Sequence, residues 1–383
     1  MLLSIIIVSY EVKYFLEQCL FSVKEAIKLA EKEFGGLPIE VIVVDNASSD
    51  GTVNYLRESF ASINFIPNKT NVGFGRANNQ AIEKAQGKYI LFLNPDTILP
   101  EESLKDCLSF MESNATAGGL GVRMIDGSGR FLVESKRGFP TAWRSFCKLS
   151  GLSFLFPSSK IFAGYNLGHV KDGAVLPIEV LAGAYMMVRK EILDNIGGFD
   201  ERFFMYAEDI DLSKRIRDAG FENYYLGTCT VLHFKGESTR RDKLYIQRFY
   251  EAMTLYVQKH YTGFGSGLSV GVMKAAIGLR SMFAMMRARE KPEVSKKIDR
   301  VRFLGDKKEI EVIKRKWSVV EEDESAQAVV LCQGNDFTFA TLIQTMQKLP
   351  KASQPMVYAS GSNSIVGSFR KDEQGSAQIL TYG

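Results

Sequence analysis

Val41-Ile42-Val43-Val44-Asp45-Asn46-Ala47-Ser48-Ser49-Asp50-Gly51-Thr52 is the stretch that decides the fold. A β-branched apolar run too short for a helix ends on a carboxylate, and turn and helix-capping residues follow at once. The pattern is strand, loop, helix. Upstream, Ser4–Ser9 reads as a strand and Tyr14–Glu31 as an amphipathic helix. Downstream come a helix over Thr52–Ser59, a strand over Ile63–Ile66, a helix over Arg76–Gln86 ended by Gly87, and a strand over Tyr89–Leu93. Short β runs that alternate with helices imply βαβ crossovers and parallel strands. Ligands of such sheets bind outside the carboxyl ends of the strands, so Ser9, Asp45, Asn94 and Asp96 are predicted to share one rim.

Beyond Glu101 the signals weaken. One helix, a strand over Gly118–Ile125 and a turn at Asp126–Gly129 lead into an aromatic, proline-bearing stretch to about Lys160 that suits an acceptor-side lid. A strand is predicted over Ile178–Val188, a turn at Gly197-Gly198, and a helix over Asp209–Ala219 capped by Gly220. Tyr224–His233 reads as two short strands. A helix then runs to Tyr261, followed by a Gly-punctuated amphipathic segment, Phe264–Arg289, and a charged helix or linker ending near Ser325. The remainder holds a strand over Ala328–Cys332, a helix over Thr338–Lys348 and a Ser/Gly-rich tail, too short for a complete doubly wound domain. The expected divisions are therefore 1–240, 241–325 and 326–383.

Composition narrows the class. A chain of 383 residues leaves room for one to three domains of roughly 150 each. Hydrophobic residues at 45% and charged residues at 24% are those of a soluble globular protein. A net charge of +4 is too small to imply nucleic-acid binding. Five cysteines with no C-x-x-C pair fit reduced thiols in a cytosolic protein and exclude a zinc ribbon or disulfide framework. Met1–Tyr10 lacks a basic n-region and a small-residue cleavage site, so it reads as a buried strand rather than a signal peptide. Lys274 and Arg280 interrupt the best apolar run, and no transmembrane span is expected.

The chemistry-bearing residues cluster at element ends. A carboxylate buried at a strand end needs a partner, and for Asp45 a base or ribose would serve, whereas Asp50 or Ser49 can equally be a helix cap. Leu93-Asn94-Pro95-Asp96 delivers a carboxamide and a carboxylate, and the latter is a hard oxygen ligand for a cation on a diphosphate, unless the segment merely caps the next helix. Asn71-Val72-Gly73-Phe74-Gly75 lacks the preceding strand and third glycine of a dinucleotide fingerprint, although a glycine-opened helix start can approach a diphosphate. Glu208, Asp209 and Asp211 at one helix start exceed what the helix dipole requires. Successive helical residues differ by about 100°, so Glu208 and Asp209 cannot point at the same atom, and Asp211 is expected to face Arg215. His233 ends its strand either as a core residue or as a ligand.

Taken in order, Ser9-Tyr10, Val44-Asp45-Asn46-Ala47-Ser48-Ser49-Asp50-Gly51-Thr52, Asn71-Val72-Gly73-Phe74, Leu93-Asn94-Pro95-Asp96, Gly183-Ala184-Tyr185-Met186-Met187-Val188-Arg189, Gly197-Gly198-Phe199-Asp200-Glu201, Glu208-Asp209-Ile210-Asp211-Leu212 and His233 resemble family 2 glycosyltransferases, most closely the bacterial rhamnosyltransferase branch. The resemblance spans residues 2 to 240. It implies an α/β, GT-A nucleotide-diphospho-sugar transferase fold, a mostly parallel central sheet flanked by helices, here with a C-terminal helical extension and a small βα tail. It further implies an inverting transferase that moves rhamnose or a hexose from a nucleoside diphosphate sugar, dTDP-rhamnose or a UDP-sugar, to an acceptor hydroxyl in cell-surface polysaccharide synthesis. By the same resemblance Ser9, Tyr10, Glu11, Asp45, Asn71, Gly73, Asn94, Asp96 and Gly183 hold the donor. Asp96 and His233 would hold a divalent cation, Mn2+ or Mg2+, with Asn94 in the first place of the family's D-x-D motif. Asp209 falls on the catalytic base, with Glu208 as a supporting contact.

The tail is similar, through Val329–Gly334 and Ser364–Ser368, to a short module fused to bacterial sugar transferases acting on polyprenyl phosphate, which points to a glycan or polyprenyl-diphosphate-linked acceptor. Arg287–Trp317 is strongly basic and follows the amphipathic Phe264–Met286, a pairing that suits a peripheral protein on an anionic membrane surface at the cytoplasmic face; the competing reading is a helix packed on the catalytic domain. A sugar nucleotidyltransferase would carry a glycine-rich basic loop where Ser9-Tyr10-Glu11-Val12-Lys13 stands. A non-catalytic nucleotide-sugar or glycan-binding module is the other alternative, and an NAD enzyme lacks its fingerprint.

Overall fold

The computed structural model describes residues 1–237, 243–261, 298, 300–317, 321–368 and 375–380, together with positions 271, 277, 278 and 281. The amphipathic Phe264–Arg289 segment, apart from those isolated positions, and the first third of the basic run lie outside the described residues.

β1 (Leu3–Ser9) is buried at every position, as a strand covered on both faces must be, and its β-branched run disfavours a helix. α1 (Lys13–Glu33) lays Leu16, Cys19, Leu20, Val23, Ala26 and Ala30 on the sheet at helical spacing. β2 (Ile39–Asp45), α2 (Thr52–Ser59), β3 (Asn64–Pro67), α3 (Phe74–Ile82) and β4 (Tyr89–Leu93) continue the alternation. β1 pairs in parallel with β2 and β4, placing Ser9 opposite Asp45 and Ile7 opposite Leu93. The predicted rim is thus formed.

The chain then adds β5 (Thr97–Ile98), α4 (Ser103–Ser113), β6 (Ala117–Ile125), α5 (Ala142–Leu149), α6 (Leu152–Leu155), β7 (Val175–Ile178), β8 (Tyr185–Arg189), α7 (Lys190–Ile196), α8 (Glu208–Asp218) and β9 (Glu222–His233). The strand order is β3-β2-β1-β4-β8-β6-β9-β5, with β7 on β9. The sheet is parallel through β4; β8 runs antiparallel to β4 and β6, and β5 and β7 antiparallel to β9. Ile178–Val188, read as one strand, is instead broken between β7 and β8. There Val180 N donates to Arg137 O (3.0 Å) and Leu181 N to Ser213 Oγ (3.0 Å), so partners outside a ladder replace sheet pairing. Tyr224–His233, read as two strands, is one strand whose pairing with β6 shifts register between Val122 and Arg123.

α9 (Lys243–His260) returns to the start of α8. Its last turn places Lys259 Nζ 2.6 Å and His260 Nε2 2.7 Å from Asp211 Oδ1. Among the described residues no helix is long and apolar enough to cross a membrane.

The C-terminal region forms a second sheet from β10 (Arg300–Gly305), α10 (Lys307–Lys316), β11 (Glu321–Glu322), β12 (Ala328–Cys332), α11 (Phe339–Lys348), β13 (Gln354–Tyr358), β14 (Ser364–Gly367) and β15 (Ser376–Ile379). Its order is β11-β10-β12-β13-β14-β15. This corrects the expectation of a helical extension followed by a small βα tail. Residues 300–317 are a strand and helix of this sheet, and strand pairing starts the unit at 300 rather than 326. The two sheets dock through α11, where Phe339, Leu342, Ile343 and Met346 pack with Ile98, Ile125, Leu232 and Phe234. Glu101 accepts hydrogen bonds from Phe339 N (2.7 Å) and Ala340 N (3.0 Å) at the start of α11, and Gln18 bonds Ser364 O (2.8 Å) and Ala359 N (2.7 Å).

Asp211 is fully buried and also accepts from Arg215 Nε at 2.8 Å. Burial alone would raise its carboxyl, but His260, Lys259 and Arg215 hold it below the ordinary range. The stabilisation is therefore present above about pH 3.9 and lost as pH falls. Breaking a buried pair costs about 3–5 kcal/mol. Lys259 and Arg215 remain partly solvated, so Asp211→Asn is expected to lower the unfolding free energy by about 2–3 kcal/mol. Urea denaturation at neutral pH checks this; a loss within error of zero would remove the cluster from the list of structural anchors.

Candidate functional site

At the ends of β1 and β2, Ser9 and Asp45 are buried, and Ser9 Oγ and Asp45 Oδ1 have no hydrogen-bond partner among the described residues. An unmet buried polar atom costs about 1–3 kcal/mol, so this pair is tolerated best where a ligand completes it. Burial pushes the Asp45 carboxyl above its ordinary range, against a hydrogen bond from Ser48 N at 3.1 Å. Glu11, at φ +54°, reaches across the cleft, where its Oε1 accepts from Ser49 N (2.8 Å) and Ser49 Oγ (2.9 Å). Asp50 accepts from Thr52 N (3.0 Å) and Lys13 N (3.1 Å), which makes it a cap. Tyr10 stands exposed at the mouth.

Asn46, which pattern reading passed over, holds the next loop. Its Nδ2 donates to Asn71 Oδ1 (2.9 Å) and its Oδ1 accepts from Val72 N (3.0 Å). Its only sequence signal was an amide directly after the strand-end carboxylate. Gly73 sits at φ +88°, and a Cβ there would lie 2.7 Å from Phe204 O. Phe74 N donates to that same oxygen at 2.8 Å. Asn71 and Gly73 therefore tie the strand-end loop to the segment that enters α8.

The second cluster depends on β5. Thr97 pairs with His233, and this brings Asp96 Oδ1 to 3.3 Å from His233 Nε2, with Asn94 Nδ2 also 3.3 Å from that nitrogen. Asp96 Oδ2 accepts from Lys235 N at 3.0 Å. Burial would raise the Asp96 carboxyl, yet His233 and these hydrogen bonds hold it below the usual range, as suits a cation ligand. A cation about 2.1 Å from both an oxygen and a nitrogen puts those ligands roughly 3 Å apart, so the pair is spaced for one. No group of three or more His, Cys, Asp or Glu gathers to hold a metal among the described residues.

The third cluster opens α8. Tyr206 and Ala207 precede it at φ +74° and +62°, each costing about 1–3 kcal/mol. Asp209 Oδ2 accepts from Arg137 and from Gly183 N (3.3 Å), and Oδ1 from Ile210 N (2.8 Å). Gly183 thus lies against Asp209 rather than with the strand-end loop. Arg137, which also donates to Leu181 O (2.9 Å), was invisible in the sequence because it sits in an irregular loop. Glu208 is buried with Oε2 unpartnered among the described residues, and burial first, then the neighbouring Asp209 carboxylate, push it above its ordinary range. Asp211 turns away to Arg215, as its helical offset predicts. Of six non-glycine residues at positive φ among the described residues, five (Glu11, Ala47, Tyr206, Ala207, Lys235) flank these clusters.

Comparison with known proteins identifies the family. The model for glycosyl transferase family 2 matches residues 4–197, and that for glycosyl transferase family 21 matches residues 159–248. The chain is 27% identical over 258 residues to the N-acetylglucosaminyl-diphospho-decaprenol L-rhamnosyltransferase of Mycobacterium tuberculosis (strain CDC 1551 / Oshkosh), covering 64% of this chain and 82% of that protein. It is 28% identical over 211 residues to rhamnosyltransferase WbbL of Escherichia coli (strain K12), covering 52% and 75%. Among solved structures, the mannosyltransferase PcManGT from Pyrobaculum calidifontis in complex with GDP-Man and Mn2+ is 17% identical with a TM-score of 0.47, covering 74% of this chain and 72% of that chain. With a match running from β1 through α7, over just more than half its length, the chain belongs to glycosyl transferase family 2 and is a glycosyltransferase of the GT-A fold.

Proposed function

We propose that the enzyme transfers rhamnose or a hexose, with inversion, from dTDP-rhamnose or a UDP-sugar to a hydroxyl of a polyprenyl-diphosphate-linked glycan, at the cytoplasmic face of a membrane where cell-surface polysaccharide is built. The observation that carries this reading is the orphaned pair Ser9 Oγ and Asp45 Oδ1, on the same rim that leads to Asp96 and His233. A nucleoside offers hydroxyl and ring N–H groups to meet the first pair. The two rhamnosyltransferase relatives suggest the sugar, and the decaprenol-linked substrate of the mycobacterial relative suggests the acceptor class.

Asp96 and His233 would hold Mn2+ or Mg2+; when bound, the cation offsets the negative charge that builds on the departing diphosphate. Asp209 takes the proton of the acceptor hydroxyl. That oxygen attacks the anomeric carbon from the face opposite the diphosphate, whose bond to carbon breaks, and the nucleoside diphosphate leaves with the electron pair. Gly183 N and Ile210 N orient the Asp209 carboxylate for this role. Burial favours the protonated form of Glu208, the neighbouring acid on the same helix start.

A thermal-shift screen of dTDP-, UDP- and GDP-sugars with Mn2+ tests the donor, because a ligand at 100 times its Kd adds about 2.7 kcal/mol of stability. A flat response to all three overturns the reading. Asp96→Ala should abolish metal-dependent donor binding in calorimetry and His233→Ala should weaken it; unchanged binding in both would dismiss the assigned ligands. Asp209→Asn should lower turnover by roughly 10²-fold or more while leaving donor affinity alone. Normal turnover in that variant, with loss in Glu208→Gln, would move the base to Glu208. Because the folded value of Glu208 is raised, its ionisation destabilises: stability is intact below about pH 4.3 and declines as pH rises through the folded value. The Tm of Glu208→Gln relative to the native enzyme should therefore climb with pH, and a constant difference would show that Glu208 titrates normally.

A further inference from the structure

Between β6 and β7 the chain leaves the sheet as an insertion whose root lies in the catalytic cleft. Arg137 at that root pairs with Asp209, Gly138 N donates to Tyr165 O at 2.8 Å, and Arg144 on α5 pairs with Glu179. From there α5 and α6 project outward, and side chains that a helical hairpin would ordinarily bury face solvent. Phe154 is 85% exposed, Leu155 67%, Ile161 62% and Phe146 54%, with Phe156 and Trp143 close behind. The rings form one patch: Trp143 lies 5.8 Å from Phe146 and 6.2 Å from Phe162, and Phe162 lies 5.3 Å from Phe156. A contiguous exposed patch of this kind marks a contact surface rather than chance exposure.

Charge identifies the partner. From Ser135 to Lys171 the sequence holds six lysines and arginines and no aspartate or glutamate. Arg137 and Arg144 are engaged by Asp209 and Glu179, and Lys136 by Asp172 at 3.0 Å. Lys148, Lys160 and Lys171 are exposed and have no carboxylate partner among the described residues. Lys148 Nζ rests 3.9 Å from the centre of the Tyr165 ring, and exposed aromatic and aliphatic tips on a segment that also carries these cations and no acid complement an anionic lipid surface. The described part of the basic run is a poorer match, since Lys314 on α10 is taken by Glu322 at 2.8 Å and shares its helix with Glu309 and Glu311.

We propose that the surface of residues 142–171 docks on an anionic phospholipid bilayer. The tips of α5 and α6 enter the boundary between headgroups and acyl chains, and Lys148, Lys160 and Lys171 meet lipid phosphates. The inference rests on the reading of a polyprenyl-linked acceptor and names the surface that presents Asp209 to it. Because the insertion is rooted at Arg137, the docked face and the base lie at opposite ends of one short segment.

Co-sedimentation of the full chain with phosphatidylcholine vesicles, with and without phosphatidylglycerol, tests this directly. The native protein should pellet with the anionic vesicles at low salt. Phe154→Ser with Leu155→Ser, and separately Lys148→Glu with Lys160→Glu, should each lower the partition coefficient about tenfold or more. Both should keep native turnover on a short-chain, water-soluble acceptor, whereas Lys296→Glu with Lys297→Glu should still pellet. The proposal is overturned if the native protein ignores anionic vesicles or if only the 296/297 variant loses binding. It is equally overturned if the patch variants lose turnover on the soluble acceptor, which would make the patch a glycan site, or if they merely dissolve a dimer. Failure of every nucleotide sugar to support turnover would instead remove the transferase reading, and the vesicle result would stand apart from it.

Discussion

Thr97 faces His233 across only two residues of antiparallel ladder, and without that pairing Asp96 would hang on an Asn-Pro turn with no imidazole beside it. So short a ladder is marginal alone. It is held from three sides. Thr97 Oγ1 donates to Asn94 O at 2.8 Å, which folds the turn back on itself. Leu99 N donates to Ser22 Oγ at 3.0 Å and fastens the exit to α1. Ile98 is fully buried in the cluster that joins Phe15, Leu232 and Phe234 to the core of the second sheet. The C-terminal sheet is therefore a brace behind the proposed cation ligands, which gives a structural reason for its intimate docking.

Features that would destabilise an ordinary domain gather at the rim. Five strained backbone positions, two orphaned polar atoms and a buried carboxyl lie around one cleft. Each costs on the order of 1–3 kcal/mol, comparable in sum to the whole stability of a typical domain. They persist because the scaffold over-determines them. β1, β4 and β8 are buried at every residue, and Asn46, Gly73 and Phe204 lock three rim loops to one another. Loops that closely tied cannot relax one at a time, so the cleft keeps its polar groups aimed inward before any ligand arrives.

The parallel half of the sheet was legible because strands buried on both faces read as unbroken β-branched runs, and the polar residues Ser9, Asp45 and Asn94 at their ends mark the rim. The orientation of Asp211 followed from helix geometry alone. β5 was not legible, since two residues carry no periodicity. Nor was β10: Val301 and Phe303 are buried, but Arg300 and Arg302 alternate with them, so the period of two hid inside a charged run. α10 buries only Ile313, which leaves a helix that looks like a solvated linker. Arg137 meets Asp209 across 72 residues of sequence, and nothing local distinguishes it from its neighbours. What sequence pattern misses here are contacts made by irregular segments, and those are the contacts that complete the site.

The Arg137 pairing raises a question about Asp209 that geometry answers. A guanidinium held against a base occupies lone pairs that the proton of the acceptor must reach. Yet a carboxylate has about four lone-pair positions. Arg137 and Gly183 N both address Oδ2, while Oδ1 receives only Ile210 N at 2.8 Å. One direction on Oδ1 is left for an acceptor hydroxyl without breaking any bond the structure makes. Burial by itself disfavours the charged guanidinium, but Asp209 and Tyr165 outweigh it and keep that side chain cationic. In the proposed reaction the proton arriving on Asp209 would thus leave Arg137 with a weakened partner at the moment the acceptor is consumed.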